Sequence, residues 1–479
     1  MKTIAIASII STASAATYKI KSLATPVAAT SPDACSPCYE KPPACTGSET
    51  SVQITGVTGD FCSPLCYQNQ CPKGDGSFTA APSCVLETQG SSKPTQCALI
   101  CTPGDDAACP AGASCQSIQG EGICTYPSGA QSYPTAAAKA IAMEEQFVKE
   151  INAVEGITWK AAVGAMGTRS MASSLGVLGT SQFAVSKLPK RVETIADKDV
   201  PAEFDSAANW PKCAVVITDI RDQSMCGCCW AFGGAEAASD RLCIATDAAT
   251  TVPLSAQDIC FNANSDGCNG GQIDTPWDYI ARTGAVTGGQ YNGTAPSGGH
   301  VIPGGPFCSD FSLVHCHHHG PQGNDPYPAE GAPGCPSQSS PEGPRKCDAK
   351  AAGGSHGDFA KDKWTFAGGA QSASGEMGIA KAIMAGGPVE TAFTVYTDFA
   401  NYVSGVYTHV SGGVEGGHAV RIVGWGVDGG KKYWKVANSW NPYWGENGYF
   451  RIAKGNNECG IENGVSFSPE GAKWSNGGM

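Results

Sequence analysis

"QSMCGCCWAF", residues 223–232, sets three thiols, Cys226, Cys228 and Cys229, within four positions. They cannot all do the same job. The following "WAFGGAEAASDRLCIAT" carries Ala231, Ala235, Ala238 and Leu242 at helical spacing, which predicts a helix starting near Cys229. A thiol at a helix N-terminus faces exposed N–H groups that favour thiolate, and Cys229 is best placed for that. Cys226 lies outside the helix, where a disulfide is easier. A metal site or thiol redox chemistry is the competing use of such a cluster.

A nucleophilic thiol needs a base. Of the eight histidines, His418 has the best context, in "GGHAVRIVGWGVDGGKKYWKVANSW". Two apolar, β-branched runs flank Asp428-Gly429, a hairpin signal. That turn predicts His418 and Asn438 facing each other across two strands, about 5 Å apart. An Asn beside a His accepts its N–H and fixes the tautomer. Thiol, base and orienter are the three parts of covalent catalysis by a nucleophile.

The rest of the chain gives these residues a setting. It has 479 residues, a formal charge of −12 and 24 cysteines. The length predicts two or three domains. No Lys/Arg run exists, so a nucleic-acid partner has no electrostatic basis. Lys2, the apolar run Ile4 to Ile10 and Ala13-Ser14-Ala15 read as a signal peptide over 1–15. With so many cysteines, this predicts an oxidising compartment and disulfides. Asn292-Gly293-Thr294 is a glycosylation sequon consistent with secretion. No other apolar stretch is long enough to span a bilayer.

Twelve cysteines fall between Cys35 and Cys124, and twelve between Cys213 and Cys459. The first group marks a disulfide-rich module, 16–128, with few large apolar residues, so bridges must hold it together. Its CxxC at Cys35 and Cys38 is read as ordinary disulfide chemistry rather than zinc or redox. A linker and a removable segment occupy 129–200: a helical pattern with Phe147, Ile151 and Val154 on one face, then a polar stretch containing "KLPKR". Nine of the ten tryptophans lie beyond residue 200, in the main folded domain, 201–467; a tail, 468–479, follows.

Gln223, "CGCCWAF", Gly417-His418-Ala419 and Asn438-Ser439-Trp440 together resemble the papain-like cysteine proteases. "SDGCNGG", "VETAFTVYTDF" and "GGHAVRIVGWG" are similar to the cathepsin B-like subfamily within them. The resemblance runs over about 140–467 and leaves the module outside. It implies an α+β, two-lobed fold, with a helical left lobe, a β-rich right lobe and a cleft between. It implies Cys229 as nucleophile, His418 as base, Asn438 as orienter, Gln223 as oxyanion donor and Trp440 as shield. Gly270, Gly271 and Ile273 would meet substrate backbone and side chains, and Ala392, Gly417, Ala419 and Gly464 would line the cleft and its S2 pocket. No cofactor or metal is implied. The partners implied are peptide or protein substrates and the chain's own propeptide, and the chain is expected to be a secreted or lysosomal/vacuolar monomer. Implied bridges are Cys213–Cys243, Cys226–Cys268 and Cys316–Cys335.

The departures matter as much. Cys228 stands where the family usually has Ser; it is read as a small-residue swap with no role, the alternatives being reaction with Cys229 or another bridge. Cys347 can pair with Cys260 or Cys308. With Cys229 set aside, eleven cysteines remain in this region, so at least one more thiol is free. His315, His317, His318 and His319 could bind metal, but they open the Cys316–Cys335 loop, and the resemblance makes His318 and His319 the captors of a substrate's C-terminal carboxylate, with Asp222 anchoring the loop. The usual loop Arg is missing, and Tyr443 stands where the resemblance places its acidic partner. Gly464 replaces a pocket-floor Glu. The resemblance implies carboxydipeptidase plus endopeptidase activity. The competing readings are a non-catalytic matrix or binding protein on the same scaffold and a thiol oxidoreductase using Cys226 and Cys229.

Overall fold

A computed structural model describes residues 18–22, then 38–127 apart from 43–44, 46–48, 55–56, 67–69, 75, 88–92 and 119. It continues with 136–163, 186–293, 301–318, 326–328, 335 and 340–477. The signal peptide read at 1–15, Cys35, the first residues of the 129–200 linker and removable segment, Thr294 and His319 lie outside the described residues. The chain divides into two compact units, Met1–Ala140 and Ile141–Met479.

The first unit is a seven-stranded sheet. Its spatial order is Phe61–Ser63, Thr50–Ile54, Tyr18–Ser22, Ala81–Glu87, Gln96–Cys101, Glu121–Thr125 and Ser114–Ile118. One small apolar cluster, including Val52, Ile54, Phe61, Leu86 and Ile123, lies on it. A second cluster is largely cystine. The described bridges are Cys45–Cys62, Cys66–Cys84, Cys71–Cys97, Cys101–Cys115 and Cys109–Cys124. Cys38 is also disulfide-bonded. The expectation of a fold stapled rather than packed agrees with this arrangement.

The second unit is built on one helix and one sheet. The helix, Cys229–Ala245, begins at Cys229 as its periodicity predicts. It is buried from Cys229 to Cys243 on every side, not along a stripe alone. That explains its many small residues. A Cβ at Gly234 would collide with the Pro276 ring, so the helix Thr275–Arg282 packs here only against glycine. The sheet runs in the order Gln371–Ala373, Val465–Phe467, Val389–Tyr396, Val414–Asp428, Lys431–Ala437, Tyr449–Ala453, Tyr402–Tyr407 and Trp159–Ala161. The central helix lies against the long strand Val414–Asp428. Helical and β-rich halves thus meet at the helix start, as the two-lobed expectation requires.

The hairpin differs in register from its prediction. The turn is at Gly429-Gly430, with Asp428 opposite Lys431, and a bulge between Ile422 and Gly424 shifts the ladder. Ala437 therefore pairs with Arg421, and the strand ends before Asn438. His418 instead sits opposite Phe393 on the neighbouring strand.

Residues 141–163 belong to this unit. The helix Ala136–Asn152 places Ile151 in the core, while Phe147 is only partly buried and Val154 lies beyond the helix, 39% exposed. The apolar face is therefore shorter than its spacing predicts. Glu144 accepts from Asn401 at 2.7 Å, and Trp159 packs on Tyr402 and Tyr407.

Candidate active site

Cys229 is the first residue of its helix, and the preceding residue, Cys228, makes no side-chain cap. The Ala231 and Phe232 N–H groups donate to the Cys228 carbonyl at 2.8 and 3.1 Å, so the backbone rather than a side chain caps this end. Cys229 is buried, and the Ala419 N–H donates to its sulfur at 3.4 Å. Ala419 follows His418 on the long strand, so helix start and strand converge here.

His418 Nε2 lies 2.8 Å from Asn438 Oδ1, and both residues are fully buried. The Ser439 N–H donates to the same oxygen at 2.8 Å, which fixes the amide's orientation. An amide oxygen only accepts, so Nε2 carries the ring hydrogen and Nδ1 is the basic nitrogen. The hairpin brought this pair together through a side-chain bond just past the strand end, not by direct opposition.

Trp440 stacks on His418 at 4.7 Å between ring centroids. Gln223 is held at three points: its N–H donates to the Ser439 carbonyl at 2.9 Å, its Oε1 accepts from Ser439 Oγ at 2.7 Å, and its Nε2 donates to the Cys226 carbonyl at 2.9 Å. Ser439 therefore ties the Asn438 and Gln223 side chains together, a role not read from sequence.

Gly270 has φ +101°, a conformation that favours glycine, and its carbonyl accepts from Asn264. A Cβ on Gly271 would strike the Trp230 ring. Ile273 is buried beside this loop. Ala392 stands opposite Ala419 in the ladder, Gly417 opposite Thr394, and the Gly464 carbonyl accepts from Thr391 Oγ1 at 3.2 Å. Ala392, Ala419 and Gly417 thus put small residues on one face of the ladder.

Asp222 holds the base of the histidine loop. Its Oδ1 lies 2.6 Å from His318 Nε2 and accepts from the Ser224 N–H. Its Oδ2 accepts from the Cys316 N–H and lies 3.6 Å from His315 Nδ1. Burial works to raise the Asp222 carboxyl, but the charge of His318 and the hydrogen bonds from His315 and His318 hold it well below the usual carboxylate range. Sequence reading missed His315 here. It also missed Tyr327, whose ring meets Tyr443 edge-on at 6.3 Å, so an aromatic contact stands at the place of the Arg–acid pair that this chain lacks.

Cys213–Cys243, Cys226–Cys268 and Cys316–Cys335 are bridged as expected, and Cys347 takes Cys308. The reading of Cys228 as a swap with no role is corrected: Cys228 pairs with Cys260. The Cys260 sulfur lies against Gly267, so this bridge ties the residue before Cys229 to the glycine loop. It also leaves no thiol at 228 to react with Cys229. Among the described residues, Cys229 and Cys459 are the cysteines outside a disulfide.

Residues 200–468 match the papain family cysteine protease family, and the chain belongs to that family. It is 40% identical over 321 residues to cathepsin B-like cysteine proteinase 6 of Caenorhabditis elegans, covering 66% of this chain and 76% of that one. It is 41% identical over 270 residues to a cathepsin B-like cysteine proteinase of Schistosoma japonicum, covering 56% and 72%. Among solved structures, proCathepsin B S9 of Trypanosoma congolense is similar, with 29% identity, a TM-score of 0.53, and coverage of 68% of this chain and 97% of that one. The chain is accordingly a cysteine peptidase of the cathepsin B-like kind. The family match begins at residue 200 and does not reach the cysteine-rich module.

Proposed function

We propose that peptide bonds are cut at a Cys229–His418–Asn438 site. The observation that carries this is the buried His418–Asn438 bond beside a cysteine at a helix start. The Cys229 sulfur attacks the carbonyl carbon, and the carbonyl oxygen takes up negative charge. Gln223 Nε2 and the Cys229 N–H donate to that oxygen, each donor of this kind being worth about 3 kcal/mol. The His418 imidazolium gives its proton to the leaving amine as the C–N bond breaks. Water then attacks the thioester, His418 takes its proton, and the acid departs as the Cys229 thiolate re-forms. The non-catalytic reading has to leave this whole constellation unused.

Supporting a carboxydipeptidase role, His318 is held by Asp222 at the loop base. His318 and His319 would take the substrate's terminal carboxylate. Endopeptidase activity accompanies it, because the loop lacks its Arg anchor. The S2 pocket prefers apolar side chains, since Gly464 offers an Arg no buried partner. The pro-segment blocks the cleft until cut, and the protein works outside the cell or in a lysosome or vacuole. Among the described residues no helix is long and apolar enough to cross a membrane.

Matched peptides with free and amidated C-termini test this. Wild type should favour the free acid at acid pH and accept the amide near neutrality, and His318→Ala should lose the preference. Strict dependence on the free carboxylate at every pH would refute the dual activity.

A further inference from the structure

The pro-segment meets the right-lobe sheet twice. At one edge, Trp159–Ala161 pairs antiparallel with Tyr402–Gly405. Thr158 accepts from the Val406 N–H at 2.8 Å, and Trp159 Nε1 donates to the Thr408 carbonyl at 2.9 Å. The other edge of the same sheet is Gln371–Ala373. There Lys190 forms a parallel bridge with Ser372. The Arg191 N–H donates to the Ser372 carbonyl at 2.8 Å, and the Ser372 N–H donates to the Pro189 carbonyl at 2.9 Å. Ser372 Oγ donates to the Leu188 carbonyl, and Lys190 Nζ to Ser374 Oγ. Arg191 spreads its guanidinium over Glu193 at 2.6 Å, Gln371 at 3.4 Å and Glu470 at 3.3 Å.

An open sheet edge is a template for an added strand, with backbone bonds giving affinity and side chains giving specificity. Both edges of this sheet are covered, and both by the same segment of chain. The second contact also involves the dibasic pair in "KLPKR", which on sequence alone invites cleavage by a protease that cuts after basic residues. A protease needs the backbone free of such pairing. Beyond the strand, residues 196–199 and 201–203 are exposed, and Val192 is 88% exposed.

We propose that Gln371–Ser374 is a second docking edge for the pro-segment, with Arg191 as its anchor, and that this pairing shields Lys190-Arg191 while leaving the chain beyond Glu193 open to cutting. This rests on reading 129–200 as linker and pro-segment.

Trypsin on the full-length Cys229→Ala chain, which cannot cut itself, tests the proposal. Initial rates of cutting after Arg191 and after Lys198 are each divided by the same rate in the reduced, alkylated chain. The ratio for Arg191 should be at least ten-fold lower than that for Lys198. A Gln371→Ala/Glu470→Ala variant, which keeps the dibasic pair, should raise the Arg191 ratio at least five-fold. Equal ratios in the first chain, or an unmoved ratio in the variant, would overturn it. The first measurement stands even if the variant misfolds. Should uncut wild-type chain hydrolyse peptides at full rate, the pro-segment reading fails instead, and the trypsin map still decides the pairing.

Discussion

The cysteine-rich module and the protease domain each carry five bridges among their described residues, and use them differently. In the module the partners lie 14 to 26 residues apart and lie among or beside a few apolar side chains. In the protease domain they lie 19 to 42 residues apart, around a core that already buries Trp230, Trp277, Trp434 and Trp440. There the bridges sit where loops must hold still: two beside Cys229 and one across the histidine loop. Bridges substitute for a core in one region and fix catalytic loops in the other.

The sharpest separation of the two regions is by chemistry. Cys229→Ala should lower kcat/KM by at least about a thousand-fold and leave both thermal transitions in place. A residual rate near wild type would mean that Cys229 is not the nucleophile. Gln223→Ala comes next, with kcat reduced by about a hundred-fold and KM little changed, because the donor acts on the developing oxyanion. An effect confined to KM would point to ground-state binding.

Stability separates them in a second way. Removing Cys71–Cys97 by a double Ala substitution should cost the module about 3 kcal/mol and leave peptidase activity intact. Removing Cys228–Cys260 with Cys228→Ser and Cys260→Ala should destabilise the protease domain by a similar amount, with a smaller change in kcat, since that sulfur has no step in the chemistry. Calorimetry with activity assays on both variants checks this. Equal damage to activity from both would erase the distinction.

The smallest expected effect concerns pH. Burial pushes the Glu236 and Asp240 carboxyls up to about 7, against the charge of Arg421. Arg421 itself is pushed upward, which taken alone implies a fully ionised pair. Two buried carboxylates share this one guanidinium, at 3.5 and 2.7 Å, so one cation cannot compensate both charges and the acids keep protons to higher pH. The folded state then holds protons that the unfolded state releases near pH 4. Stability of the protease domain should fall as pH rises from about 4 to about 7, and Glu236→Gln should flatten that slope. Denaturant midpoints across this range measure it; a slope unchanged in the variant would assign it elsewhere.

Much of the site was legible because it rests on local patterns. Helical spacing placed Cys229 at a helix start, and the hairpin signal brought His418 near Asn438. What the sequence did not disclose depends on connectivity or irregular backbone. Spacing carries no information about which cysteines pair, so Cys228–Cys260 was invisible. The turn falls at Gly429-Gly430, one residue later than the Asp428-Gly429 signal predicts, and the bulge at Val423 recovers only part of that register shift. His315 on Asp222 and Tyr327 on Tyr443 are contacts made by loops without periodicity.

The central claim is that Cys229 is the nucleophile, and covalent labelling tests it most directly. Acid-activated protein is treated with an epoxide probe for cysteine proteases, digested and mapped by mass spectrometry. One adduct per chain, on the peptide carrying Cys229, is the expected result, with Cys459 unmodified and peptidase activity lost in proportion. Label on Cys459 alone, or full loss of activity with Cys229 unlabelled, would contradict it.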